Sequence, residues 1–152
     1  MTAQTRRTFL LETQIELARP IDEVFSFFAD AANLERLTPP WLRFQILTPR
    51  PITMHVGTII DYRLRLRGFP IRWQSEITAW DPPFRFVDEQ RRGPYRRWVH
   101  LHRFEARECH TLVTDRVEYA VFGGSKVNRL FVAPDLTRIF AYRHQVLQDL
   151  FR

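Results

Sequence analysis

The sequence predicts an α+β fold in which a curved antiparallel sheet of about seven strands wraps a long C-terminal helix, with two short helices after the first strand. Three observations carry this. Period-2 alternation begins at Phe9 and, after a gap, governs most of the chain from Arg43 to Val121. Helical spacing fills the gap. A second, stronger helical pattern runs from Pro134 to the C-terminus, and a sheet with one apolar face buries it most economically by laying it across its hollow.

The first strand places Phe9, Leu11, Thr13, Ile15 and Leu17 on one face against Glu12, Gln14 and Glu16 on the other. Pro20 suits the opening of a helix, and Ile21, Val24, Phe25 and Phe28 follow at i, i+3, i+4 and i+7. A second short helix through Leu34 and Leu37 ends at Pro39-Pro40. Gly57, Gly68 to Pro70, Asp81-Pro82-Pro83, Gly93-Pro94 and Glu108 to His110 then punctuate the strands of a meander. Within it Ile60, Tyr62, Leu64 and Leu66 oppose Arg63, Arg65 and Arg67, and Ile71, Trp73, Ser75, Ile77 and Ala79 oppose Arg72, Gln74 and Glu76. Phe122 to Ala133, with Gly123-Gly124 and no period, reads as a flexible connection. The last helix gathers Leu136, Ile139, Phe140, Val146, Leu147, Leu150 and Phe151 on one arc.

A length of 152 residues fits one domain, 1–152, and the 13 Phe and 4 Trp argue against disorder. Cys109 is the sole cysteine, so no disulfide forms within the chain, and no Cys/His spacing resembles a zinc site. Neither a metal nor a cofactor is expected. Without an apolar leader or a run long enough to span a bilayer, the expected location is the cytoplasm. The formal charge of +6 comes almost entirely from arginines scattered along strands, Lys126 being the only lysine. A nucleic acid or ribosome is therefore a less favoured partner than a small hydrophobic molecule, and a homodimer is among the assemblies allowed.

The segments ARPIDEVFSFFADAANLERLTPPW, PFRFVDEQRRGPYRRWVHLHRFE, TLVTDRVEYAV and FAYRHQVLQDLF together resemble the SRPBCC or START-like superfamily, the helix-grip group that includes polyketide cyclases and dehydratases. The resemblance spans nearly the whole chain. It implies a ligand cavity under the long helix and names no ligand, because architecture rather than a catalytic motif defines the group.

Polar residues at buried parity mark where such a cavity would do chemistry. Phe84 and Phe86 select a face that carries Asp88 and Gln90 inward; Trp98 and Phe104 bring His100 and His102 with them; Val113, Val117, Tyr119 and Val121 share theirs with Asp115. Arg143 falls near the middle of the helical arc, with His144 at its edge. An arginine cannot shed its proton on burial, so it needs a carboxylate, carbonyls, water or an anionic ligand, and Asp88 and Asp115 are the inward acids. One reading is an Arg143–aspartate pair that fixes the helix to the sheet. The other makes Tyr62, Trp73, Phe86, Trp98, Tyr119 and Phe140 the walls of a binding site, with Asp88, His100, Asp115 and Arg143 as polar contacts to a carboxylate, phenolate or carbonyl.

Binding of a small hydrophobic or aromatic molecule is the first functional expectation. A cyclase or dehydratase is the second, with His100, His102 and Asp115 as candidate acid–base groups. The third, which the resemblance implies because some START-like proteins associate with ribosomes or carry quinones, is an interaction module binding ribosome, RNA or anionic lipid/quinone, with the outward Arg63, Arg65, Arg67, Arg72, Arg97 and Arg103 as the surface that matters.

Overall fold

The computed structural model describes residues 7–152. Among them the alternating segments form β1 (Phe9–Leu17), β2 (Gln45–Ile46), β3 (Ile59–Leu66), β4 (Phe69–Asp81), β5 (Arg85–Arg92), β6 (Arg97–Arg107) and β7 (His110–Ala120), joined antiparallel in the order β1-β7-β6-β5-β4-β3-β2. Except for β1, which pairs with β7, each strand neighbours the next in sequence. That topology is a meander closed by its first strand. The turn between β3 and β4 is made by Arg67 and Gly68, both at positive φ (51° and 82°), the geometry of a tight hairpin.

Helix α1 (Ile21–Ala29) starts after Pro20, whose carbonyl accepts the Val24 N–H, and buries Val24, Phe25 and Phe28. Helix α2 (Asn33–Leu37) is held to the short strand β2 by Glu35, whose Oε1 accepts the Ile46 N–H at 3.1 Å and the Arg50 guanidinium at 2.8 Å. A 3-10 turn at Pro40–Leu42 follows. The C-terminal helix α4 (Ala133–Leu150) lies across the concave face of the sheet and buries Leu136, Phe140, Arg143 and Leu147.

Four expectations need correction. Phe122 to Ala133 is not a loose connection: α3 (Gly124–Val127) passes through a π-helical turn, Asn128–Val132, directly into α4. Its period is hidden because Leu130 and Phe131 face solvent, and the wide turn sits where the Pro134 ring would crowd the Leu130 carbonyl of a regular helix. In β4 a register shift between Ile77 and Ala79 hands the inward position from Ala79 to Trp80, which packs 5.3 Å from Phe25 and 5.4 Å from Phe86. Phe84 is 57% exposed because it belongs to the turn before β5, where strand parity does not yet apply. Leu150, in the last residue of α4, is also exposed.

Candidate functional site

Strand register assembles the polar residues. Across β5, β6 and β7, Asp88 faces His100, Phe86 faces His102, and His102 in turn faces Asp115. Parity sends all of them to the concave side, where Arg143 of α4 meets them. The hydrogen bonds run diagonally. His100 Nε2 lies 2.8 Å from Asp115 Oδ1 and His102 Nε2 2.6 Å from Asp88 Oδ2, whereas the directly opposed pairs, His100 with Asp88 and His102 with Asp115, are 3.8 and 3.6 Å apart. The two imidazoles stack at 3.7 Å, and Phe86 stacks on the far side of His102 at 4.0 Å. Their rings therefore have one orientation available.

Arg143 Nη2 donates to Asp115 Oδ1 at 3.1 Å and stands 3.4 Å from His102 Nδ1, and its guanidinium carbon is 5.2 Å from the Phe28 ring. With both carboxylates ionised and the histidines neutral, each imidazole donates through Nε2, so His102 Nδ1 is left to accept from Arg143 and His100 Nδ1, 3.8 Å from Asp88 Oδ2, is left without a proton. Burial pushes the Asp115 carboxyl up, but the Arg143 guanidinium and the hydrogen bond from His100 outweigh it and hold the group well below the ordinary range. Burial of Asp88 is likewise outweighed, by the hydrogen bond from His102 and the charges of His100, His102 and Arg143. His102 is pushed down to about 4, chiefly by burial and then by His100, against the pull of Asp88 and Asp115. His144, half-buried on α4, is lowered by burial. Two carboxylates against one guanidinium leave the cluster with one excess negative charge when its histidines are neutral.

Beside the cluster is a cavity of about 190 Å³. Of the residues expected to touch a ligand, Tyr62, Trp73, Phe86, Asp88, Trp98, His100, Phe140 and Arg143 line it, as does His102. Asp115 and Tyr119 do not. Asp115 lies behind the histidines, 1% exposed, and Tyr119 donates its hydroxyl to Asn128 Oδ1 at 2.9 Å on the approach to α4. Gln90, expected inside, instead bridges the β5–β6 turn through both ends of its amide to the Tyr95 backbone.

Sequence reasoning missed Tyr95 and Ser75 as parts of this wall. Tyr95 sits in a Gly-Pro turn with no period to orient it, yet its ring packs 4.7 Å from Trp98 and 5.5 Å from Trp73. Ser75 had the right parity but no chemical prominence; its Oγ joins the Tyr62 hydroxyl and Trp73 Nε1, each at 3.0 Å. Burial raises the Tyr62 hydroxyl well above its ordinary value, so it acts as a neutral hydrogen-bonding group.

Folding also does what linear spacing could not signal for a metal. Asp88, His100 and His102 offer one ligand atom each within 4.8 Å of one another. These three could hold a divalent ion in chemical type. Their lone pairs are turned toward each other and toward Arg143, however, and a cation would have to displace the 2.6 Å His102–Asp88 bond and stand beside the guanidinium.

Residues 17–140 match the family described as polyketide cyclase / dehydrase and lipid transport. No curated protein matches the chain. Similar solved structures include the Zhui aromatase/cyclase from Streptomyces sp. R1128 (14% identity, 94% of this chain and 93% of that one, TM-score 0.74). A norcoclaurine synthase point mutant from Thalictrum flavum, in complex with a transition-state analogue, is 15% identical over 98% and 97% of the two chains, TM-score 0.71. The ginseng major latex-like protein 151 from Panax ginseng is 13% identical over 95% and 97%, TM-score 0.70. At such identities the likeness is one of fold, the helix-grip arrangement of sheet and long helix. The family match covers most of the chain and agrees with that fold, so the chain belongs to the polyketide cyclase / dehydrase and lipid transport family of the SRPBCC superfamily.

Proposed function

We propose that the chain binds a small, mainly apolar molecule of about one ring in the cavity between sheet and α4, with a single neutral polar group of the ligand turned to Asp88, His100 and Arg143. The observation that carries this is the cavity's composition: aromatic walls from Tyr62, Trp73, Trp98 and Phe140, with its buried or half-buried charged and imidazole groups gathered in one cluster of Asp88, His100, His102 and Arg143. Size sets the class. A dry cavity of about 150 Å³ accepts benzene, so 190 Å³ suits one ring with a substituent and falls below the roughly 300 Å³ at which drug-sized sites begin. Charge narrows it further. Asp115 already neutralises Arg143, so a carbonyl or hydroxyl meets the cluster at lower cost than a carboxylate or phenolate would.

p-Cresol, one ring with one hydroxyl, should raise the melting temperature of the wild-type protein. Leu64→Phe, which fills the cavity, should fold and lose that response. An equal response in both would place the binding elsewhere and overturn the reading.

The orientation of His100 favours a second activity in the same cavity. Its Nε2 is fixed by a fully buried carboxylate while Nδ1 lies 3.8 Å from Oδ2 of Asp88, another residue of the cavity wall, an imidazole–carboxylate arrangement of the kind a general base in a cyclase or dehydratase uses. Mass spectrometry of small molecules extracted from the native protein would name the ligand. With that molecule, His100→Gln should retain binding and lose turnover, and unchanged turnover would retire the catalytic reading.

A further inference from the structure

The two ends of the sheet differ in a way that ligand binding does not require. The β3–β4 turn, the β5–β6 turn and the exit of β7 into α3 lie at one end, because neighbouring strands are antiparallel and β7 leaves where β6 begins. Segments 65–70, 91–97 and 122–135 at that end contain eight arginines and lysines and one acid, Asp135. At the opposite end, segments 18–23, 81–85, 105–110 and 148–152 contain four arginines and six acids. The molecule is charge-polarised along its long axis.

Apolar side chains project from the basic end. Phe69 is 72% exposed, Phe122 60%, Leu130 58% and Phe131 47%. Arginines flank them: Arg67 lies 5.0 Å from the Phe131 ring and Arg96 5.2 Å from Phe122. The opposite end also exposes Phe84 and Leu150, but in a net acidic setting that no anionic surface would attract. Of the outward arginines of the sheet face, Arg63 is engaged with Gln45 and Arg103 with Glu105, and Arg97, at the basic end, with Glu118, whereas Arg65 and Arg72 have no ion-pair partner among the described residues. Among the described residues no carboxylate stands within ion-pair reach of Arg96, Lys126 or Arg129. What distinguishes this end from the rest of the arginine-bearing sheet is that exposed phenylalanines and a leucine sit among its basic side chains.

We propose that this end docks on an anionic lipid surface, with Phe69, Phe122, Leu130 and Phe131 entering the interfacial layer and Arg96, Lys126 and Arg129 meeting lipid phosphates. A bilayer fits better than RNA because Leu130 has no stacking role to play on a base, whereas leucine and phenylalanine beside arginine are the composition of an interfacial segment. The placement suits a lipid-side approach to the cavity: Leu66 and Leu136 line it, and their chain neighbours Arg67 and Asp135 form a 3.3 Å ion pair at this end.

Co-sedimentation of the full chain with phosphatidylcholine vesicles, with and without one third phosphatidylserine, tests it. Binding should be at least tenfold tighter to the anionic vesicles and should fall as salt rises from about 0.1 to 0.5 M. Arg96→Gln and Arg129→Gln should each weaken it about fivefold. Leu130→Ser with Phe131→Ser should weaken it about tenfold with an unchanged melting temperature, since both side chains are exposed, and Phe122→Ser provides a second, independent variant. Arg85→Gln with Arg107→Gln, at the other end, should leave binding as it is. Equal loss in that control would mean that net charge alone attracts the vesicles, and the docking surface would be wrong. So would indifference to phosphatidylserine, or tighter capture by a single-stranded RNA that ignores the Leu130 and Phe131 substitutions.

Discussion

The interior has two halves that face each other across a polar stratum, and they are packed differently. One half joins β1, α1, β6, β7 and the end of α4 through Leu17, Val24, Phe104, Val113 and Leu147, none more than 1% exposed. The other, toward the start of α4, is built of Tyr62, Trp73, Trp98, Tyr119 and Phe140 and contributes most of the cavity wall, which Phe28, Leu37, Ile77 and Phe86 of the first half complete. Individual strands cross both: β6 runs Trp98, His100, His102, Phe104, and α4 runs Phe140, Arg143, Leu147. The same alternation thus yields a solid hydrophobic support and a hollow aromatic chamber, divided by the one layer that carries ionisable groups. Stability resides in the first, and the capacity to hold a molecule in the second.

The largest effect should come from the solid half. Phe104, 1% exposed, meets Phe25, Phe28 and Phe86 at ring separations of 5.2, 5.1 and 6.2 Å. Phe104→Ala should cost about 3–5 kcal/mol in urea unfolding, the range for truncating a buried aromatic. A cost below about 2 kcal/mol would mean that this half is as loosely packed as the other and would dissolve the contrast.

The stratum should respond to pH next. His102 is held down to about 4, so as pH falls from 6.5 toward 4 the unfolded chain takes up a proton that the folded one refuses, and stability is lost over that window. From pH 7 to 5 the loss should be about 2 kcal/mol. His144, also lowered, adds in the same direction, and the lowered Asp88 and Asp115 extend the loss below the ordinary carboxylate range. In His102→Gln the slope between pH 7 and 5 should flatten. An unchanged slope would assign the acid sensitivity to other groups.

The chamber should be more forgiving. Leu64 is buried but borders the cavity, so one side of it has few contacts to lose. Leu64→Ala should cost about 2 kcal/mol, the low end for leucine, and enlarge the volume open to a ligand. A cost matching that of Phe104→Ala would show the chamber to be as tightly packed as the support.

Much of this division was legible because parity is a strong constraint wherever strands run without interruption. Alternation put Asp88, His100, His102 and Asp115 inside, and helical spacing put Arg143 opposite them. It failed where the backbone departs from a regular period. The bulge in β4 exchanged Ala79 for Trp80, the π-turn concealed a helix behind exposed Leu130 and Phe131, and the turn around Tyr95 supplied an aromatic wall that no period announces. The split of the inward acids was also invisible. That Asp88 borders the cavity while Asp115 backs the histidines depends on diagonal pairing across three strands, which strand parity alone does not determine.

Phe84 is the sharpest case of this limit and the smallest predicted effect. Parity from Phe86 assigns it to the core, where Phe→Ser would cost several kcal/mol. In the structure it precedes β5 and is 57% exposed, although its carbonyl accepts the Phe104 N–H at 2.8 Å. The backbone there is fixed and the side chain is free, so Phe84→Ser should change stability by less than about 0.5 kcal/mol. A loss near that of Phe104→Ala would return Phe84 to the solid half and imply that the strand alternation begins one residue before Arg85, within the turn.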